Sequence, residues 1–230
     1  MEQTLTSAAR SLKNADAILI GASNGLSISE GYNIFADNEM FRRQFSDFRQ
    51  KYGLRNVLDG LLTQEMNPED HQKFLNRLTE LWTGQYEATK AMKDLKEIVG
   101  DKPYFILTTN GDEHLEAAGF SPEKIWEIEG TFRLARDGQA PVNRQKELNR
   151  FLQEYGGKRL VIFELGIGSR NRIIKLPLMQ LAFHEPEATY ITLNLPDEIY
   201  IPGEIASKSI ALAGDITATL DSLIKQMKSL

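Results

Sequence analysis

Six short apolar runs punctuate the chain, each ending in glycine or a polar residue. Residues 15–20 run into Gly21, 104–107 into Thr108-Thr109-Asn110-Gly111, and 125–128 into Glu129-Gly130. Residues 160–165 run into Gly166, 189–193 into Asn194, and 209–213 into Gly214. Unbroken runs of this length fit strands covered on both faces. Between them the apolar period becomes helical. Leu148, Phe151, Leu152 and Tyr155 share one face, and Gly156-Gly157 follows as a C-terminal cap. Ile216, Leu220, Leu223, Met227 and Leu230 form the stripe of a closing helix, with Asp215 placed to cap it. Alternating strands and helices predict an α/β fold with a doubly wound parallel sheet of about six strands.

Two stretches break the alternation. From about 37 to 100 the pattern is helical throughout. Phe41, Phe45, Phe48 and Tyr52 lie on one face, Asn67-Pro68-Glu69-Asp70 reads as a helix start, and Phe74, Leu78, Leu81 and Trp82 form its buried stripe. Ala88, Met92, Leu95 and Val99 make a further stripe ended by Gly100. The expected organisation is therefore 1–36 with 101–230 as the sheet domain and 37–100 as an inserted helical module. The second break is 131–144, where Asp137-Gly138 signals a turn and Phe132–Ala135 predicts a short strand before it. No repeat or low-complexity segment is present.

Composition narrows the chemistry. Lys plus Arg is 27 and Asp plus Glu is 32, a formal charge of −5 over 230 residues. This balance argues against a dedicated nucleic-acid binder. No apolar run approaches the roughly 20 residues of a membrane helix, and Met1-Glu2-Gln3-Thr4 does not begin a signal peptide. A cytoplasmic protein with no membrane partner is expected. There are no cysteines, which excludes thiol nucleophiles and cysteine-ligated zinc. His71, His114 and His184 are far apart in sequence and read as satisfied or solvated side chains, so no metal site is expected.

The loops after the strands carry the candidate chemistry. Gly21-Ala22-Ser23-Asn24-Gly25-Leu26-Ser27 follows the first strand. Small residues there let backbone approach a phosphate, and the next helix would aim its free N–H groups at it. The run lacks the three-glycine dinucleotide spacing and reads equally as a tight strand–helix turn. Gly166-Ile167-Gly168-Ser169 follows the fourth strand, with Arg170, Arg172 and Lys175 behind it. Two such loops on one rim suit a diphosphate, with a solvated helix start as the alternative for the basic trio. Asn194 is placed to bond a ribose hydroxyl, and Gly214-Asp215 leaves room for a flat base. As turn and cap residues they would need no ligand.

Taken together, these motifs resemble the sirtuins, NAD-dependent protein-modifying enzymes, over roughly 15–227. Gly21-Ala22-Ser23-Asn24-Gly25-Leu26-Ser27 resembles the family's Gly-Ala-Gly with Ile-Ser, and Thr108-Thr109-Asn110-Gly111-Asp112 resembles Thr-Gln-Asn-Ile-Asp. Gly168-Ser169 resembles Gly-Thr-Ser, Asn194 the adenosine-ribose asparagine, and Gly214-Asp215-Ile216 the adenine-side Gly-Asp motif. Gly-Leu-Ser in the first loop, Phe45–Phe48, Glu164–Gly168 and Ile173–Pro177 are similar to the class M sirtuins of bacteria.

The resemblance implies a Rossmann-like NAD-binding domain and ADP-ribosyl transfer rather than deacylation. Its implied target is a lipoyl-carrying, glycine-cleavage-H-like protein, with a macrodomain hydrolase as functional partner. It implies that Gly21, Ala22, Ser23, Gly25, Leu26 and Ser27 hold the diphosphate with Gly166, Gly168 and Ser169. Asn194, Leu195, Gly214, Asp215 and Ile216 would hold the adenosine end. Asp112 would take the nicotinamide carboxamide and Asn110 a ribose hydroxyl or a water.

Three departures stand out. Glu129 occupies the place of the general-base histidine, which class M usually replaces with glutamine. A carboxylate there can accept a ribose proton, or stabilise developing positive charge, or simply be solvated. The zinc-ribbon cysteines have no counterpart between Gly130 and Lys158. Tyr32-Asn33-Ile34-Phe35 stands where sirtuins have Pro-Asp-Phe-Arg. These departures keep two rivals open: a non-catalytic binder of NAD or ADP-ribose, and an NAD glycohydrolase.

Overall fold

The computed structural model describes Glu2 to Leu230; Met1, part of the N-terminal segment read above, lies outside the described residues. Six strands form one parallel sheet: β1 (Ala17–Ala22), β2 (Tyr104–Thr108), β3 (Ile125–Glu127), β4 (Leu160–Leu165), β5 (Thr189–Asn194) and β6 (Ser209–Ala213). Their spatial order is β3-β2-β1-β4-β5-β6, so the winding reverses between β1 and β4. Every residue of β1, β2 and β4 is buried, as their unbroken apolar runs require. In register, Ala22 lies opposite Thr108 and Leu165, Leu165 opposite Leu193, and Asn194 opposite Ala213. The loops that follow therefore leave from one rim. In doubly wound sheets ligands sit at that rim, where the winding reverses.

Two helical layers cover the sheet. On one face lie α1 (Glu2–Asn14), α7 (Lys90–Val99) and α12 (Ile216–Ser229), packed with Ile18, Ile20, Ile106, Val161 and Ile191. On the other lie α10 (Gln145–Tyr155) and α11 (Lys175–His184), packed with Leu19, Phe105, Leu107 and Ile162. Asp215 caps α12, its carboxylate accepting from the Ala218 N–H at 2.8 Å.

The segment between β1 and β2 contains no strand. After α2 (Asn24–Ser29) come α3 (Glu39–Gln44), α4 (Ser46–Tyr52), α5 (Val57–Leu62) and α6 (Pro68–Thr79). Asn67 caps α6 with Pro68 in its first turn, as the sequence predicts. Phe41, Phe45, Phe48, Phe74, Leu78 and Trp82 form a core of their own. Helix α7, expected in the same module, instead buries Met92, Leu95 and Val99 in the sheet's core.

At Glu80–Gly84 the backbone widens into a π turn. Gln85 N–H bonds the Glu80 carbonyl and Tyr86 N–H bonds that of Thr83. The short helix α8 (His114–Ala117) follows β2. The strand expected at 132–135 is a helix, α9 (Phe132–Arg136). Thr131 Oγ1 accepts from the Leu134 N–H and caps it, and Phe132 turns back onto Trp82 at 6.2 Å between ring centroids. Helix α9 and the loop to Arg144 occupy the stretch without zinc-ribbon cysteines. No described helix is long and apolar enough to cross a membrane.

Candidate functional site

A cleft of about 520 Å³ opens at the carboxyl rim beside β1, β4, β5 and β6. That is within the usual range for small-molecule pockets. Ser23, Gly25, Gly166, Gly168, Asn194, Leu195, Gly214, Asp215 and Ile216 line it. The glycines at its centre are there for backbone contact. Gly25 N–H donates to the Gly166 carbonyl at 3.0 Å, and a Cβ on Gly25 would lie 2.6 Å from Gly166 Cα. Gly166 has φ +59°, a conformation that favours glycine. The two loops of the rim are thus locked together, and the Gly25 N–H expected to face a phosphate is already engaged.

The remaining loop residues lie behind the cleft. Gly21 and Ala22 are inside β1, and a Cβ on Gly21 would meet Leu178 Cδ1 at 2.2 Å. Leu26 is buried in the sheet's core. Ser27 is buried and donates to Asp112 Oδ2 at 2.5 Å. Ser169 does not line the cleft, yet its N–H points at a carboxylate that does: it donates to Glu198 Oε2 at 2.6 Å. That bond holds the Glu198 carboxyl below the ordinary glutamate range.

The basic trio behind the second loop is not a diphosphate clamp. Lys175 is buried, with Nζ 2.6 Å from Glu164 Oε1 and 3.0 Å from the Ile167 carbonyl. Glu164 also accepts from Thr192 and Tyr190 inside the core. Burial pushes its carboxyl up, against the opposing pull of Lys175. Arg170 and Arg172 are exposed and lie outside the cleft lining. Among the described residues no lysine or arginine lines the cleft, while Asp215 and Glu198 do. Asn194 supports the loop from below: Nδ2 donates to the Ile167 carbonyl at 2.9 Å, and Oδ1 accepts from Leu195 N–H.

Beneath Ser23 the loop after β2 carries Asn110 and Asp112. Asn110 Nδ2 donates to the Ser23 carbonyl at 3.1 Å, while its Oδ1 is buried without any partner. Most buried polar atoms are satisfied, so such an acceptor marks a place for a ligand or water. Asp112 is buried between Ser27 and His114, whose N–H donates to Oδ1 at 3.2 Å. Glu129 is exposed on the loop after β3. Its neighbour Gly130 lies against Gly111, whose added Cβ would come within 2.8 Å of the Gly130 carbonyl oxygen. The loops bearing Asn110, Asp112 and Glu129 are therefore adjacent.

Sequence reasoning missed several residues. Asn24, Ile28, Ser29, Phe35 and Asn171 also line the cleft. Asn171 Nδ2 lies 3.4 Å from Ser23 Oγ, tying the second loop to the first. Next to Asp112, Glu116 shares a hydrogen bond with Glu127. Burial and that second carboxyl push the Glu116 carboxyl up to about 9. Among the described residues no cluster of three or more His, Asp or Glu is placed to hold a metal.

No family model matches the chain. The sequence is 23% identical to a Staphylococcus aureus protein named protein ADP-ribosyltransferase, over 93% of this chain and 85% of the relative. A solved structure of Sir2 enzymes superimposes with a TM-score of 0.60 at 13% identity, covering 99% of this chain and 98% of the other. The chain's α/β fold is that of the Sir2 enzymes.

Proposed function

We propose that the protein is an NAD-dependent protein ADP-ribosyltransferase. The observation that carries this reading is the buried, unpartnered Asn110 Oδ1, which lies outside the cleft lining but directly behind Ser23, a residue that lines it. The glycine contact at the rim and the cleft's size fit a dinucleotide substrate. NAD would supply the ADP-ribosyl group and nicotinamide as its leaving group. Ser23, Gly168 and Ser169 would meet the diphosphate, and Asn194, Gly214 and Asp215 the adenosine end. Asp112 would orient the carboxamide. Asn110 Oδ1 would accept from a ribose hydroxyl or a water. Glu129 would take a proton from that sugar or stabilise developing positive charge. The glycosidic bond breaks with its electron pair leaving on nicotinamide, and a side chain of the target protein attacks the sugar carbon and gives up a proton.

The lipoyl-carrying target and the macrodomain protein that removes the mark rest on the resemblance to class M sirtuins, and the cytoplasmic setting on the sequence pattern. One observation favours a second reading, a non-catalytic NAD or ADP-ribose binder. Glu129, at the place of the family's general base, is exposed rather than held in the site. Nicotinamide release by the wild type separates the two, and Asn110→Ala tests the residue's role. A transferase loses nicotinamide release in this variant while NAD still binds. Unchanged release in the variant would refute the assignment of Asn110.

A further inference from the structure

His114 lies behind the cleft at the centre of a buried ionic cluster. Its side chain is inaccessible, as is that of Glu30 just beyond α2. Nδ1 lies 3.1 Å from Glu30 Oε2 and 3.7 Å from Asp112 Oδ2. Nε2 lies 2.8 Å from the Trp82 carbonyl. A carbonyl and a carboxylate both accept, and a neutral imidazole has one N–H to give. With Glu30 ionised, both contacts are satisfied only when both ring nitrogens carry protons.

The backbone is arranged for this. In the π turn Tyr86 N–H bonds Thr83 instead of Trp82, which leaves the Trp82 carbonyl to the ring. Glu113 adopts φ +60°, uncommon outside glycine, and this turn brings the His114 N–H onto Asp112 Oδ1. The Tyr86 ring stacks on the imidazole at 3.6 Å, and Tyr32 meets it edge-on at 4.6 Å. Tyr86 and Thr89 hydroxyls donate to the other Glu30 oxygen, each at 2.5 Å. Around the ring stand two carboxylates and two tyrosines, with no second cation in contact among the described residues.

We propose that His114 is the positioning residue of this site: doubly protonated, it bridges Glu30 and the Trp82 carbonyl and fixes the Asp112 carboxylate for its ligand. The proposal rests on the reading that Asp112 meets the nicotinamide carboxamide. Burial opposes charge on the ring, but Glu30 and Asp112 outweigh it and raise the His114 pKa above the ordinary histidine value. Without the proton, two buried carboxylates would crowd the Nδ1 edge of a neutral ring.

Two measurements on the full chain test this. The first is the nitrogen-15 spectrum of the His114 ring without nucleotide, its signal identified by its loss in His114→Gln. As the pH is raised, the ring is expected to keep both protons past the ordinary histidine value of roughly 6.5; a ring that loses one of them at or below that value overturns the proposal. The second is the KM for NAD in nicotinamide release. His114→Gln raises it about tenfold, a coupling typical of charges in contact. Adding Glu30→Gln restores it to within about threefold, because the uncompensated carboxylate is gone. Additive losses in the double variant, or an unchanged KM in the single one, overturn the positioning role. If the wild type releases no nicotinamide, the proposed function fails, and the ring spectrum still decides the protonation state.

Discussion

Replacing Lys175 with methionine removes the cation that faces Glu164 in the core. Glu164 is wholly inaccessible and Lys175 nearly so, at 0% and 3% side-chain exposure. Methionine roughly preserves volume, so the dominant change is an uncompensated carboxylate. Removing one partner of a buried pair costs about 3–5 kcal/mol. For a chain of this size that lowers Tm by roughly 6–20 °C, at about 2–4 °C per kcal/mol. The sign of the pH dependence is fixed by Glu164, whose folded pKa is already raised. A raised acid favours the folded state when protonated, and that advantage is lost as pH rises through its folded pKa. Losing Lys175 raises it further. The variant is therefore predicted to lose little at about pH 4 and most of the full amount at about pH 8. Thermal unfolding followed by circular dichroism at both values measures it. Adding Glu164→Gln recovers most of the loss, since no buried charge remains. A loss under about 1 kcal/mol at the higher pH, the scale of a surface pair, would refute the reasoning. So would an equal loss at both values.

Other outcomes follow from the same geometry. Glu198 holds the Ser169 N–H where the diphosphate is proposed to sit, so Glu198→Gln should tighten NAD binding several-fold at low salt, with the gain shrinking as salt screens the charge; titration calorimetry at two ionic strengths checks both. The Glu116 carboxyl, raised to about 9 by burial and Glu127, keeps a shared proton whose stabilisation is lost as pH rises through that value. Glu116→Gln should flatten the fall in Tm between about pH 5 and pH 9, and an unchanged slope there would locate that loss elsewhere.

The sheet was legible because its strands are covered on both faces and read as unbroken apolar runs. Leu160–Leu165 and Ser209–Ala213 coincide with the observed strands to the residue. Helix α1 carried a signal that went unread: Leu5, Ala8, Ala9 and Leu12 recur at helical spacing, but two alanines make a faint stripe. Phe132-Arg133-Leu134 alternates like a strand, and the Thr131 cap made it a helix. Within the site, the glycines were visible but their cause was not. Gly25 and Gly166 answer each other across 141 residues of chain, a contact no local pattern encodes. Lys175 looked like part of a basic patch because its partner, Glu164, sits within an apolar strand. Glu30 and His114 were silent for a similar reason: what joins them is a carbonyl freed by a π turn and two tyrosines from other loops.

Incubating the purified protein with NAD, with and without a lipoylated carrier protein, and quantifying nicotinamide and free ADP-ribose tests the transferase reading most directly. The account predicts nicotinamide only when the carrier is present, without a matching amount of free ADP-ribose. Equal amounts of both products without the carrier, or no nicotinamide in either incubation, would contradict it.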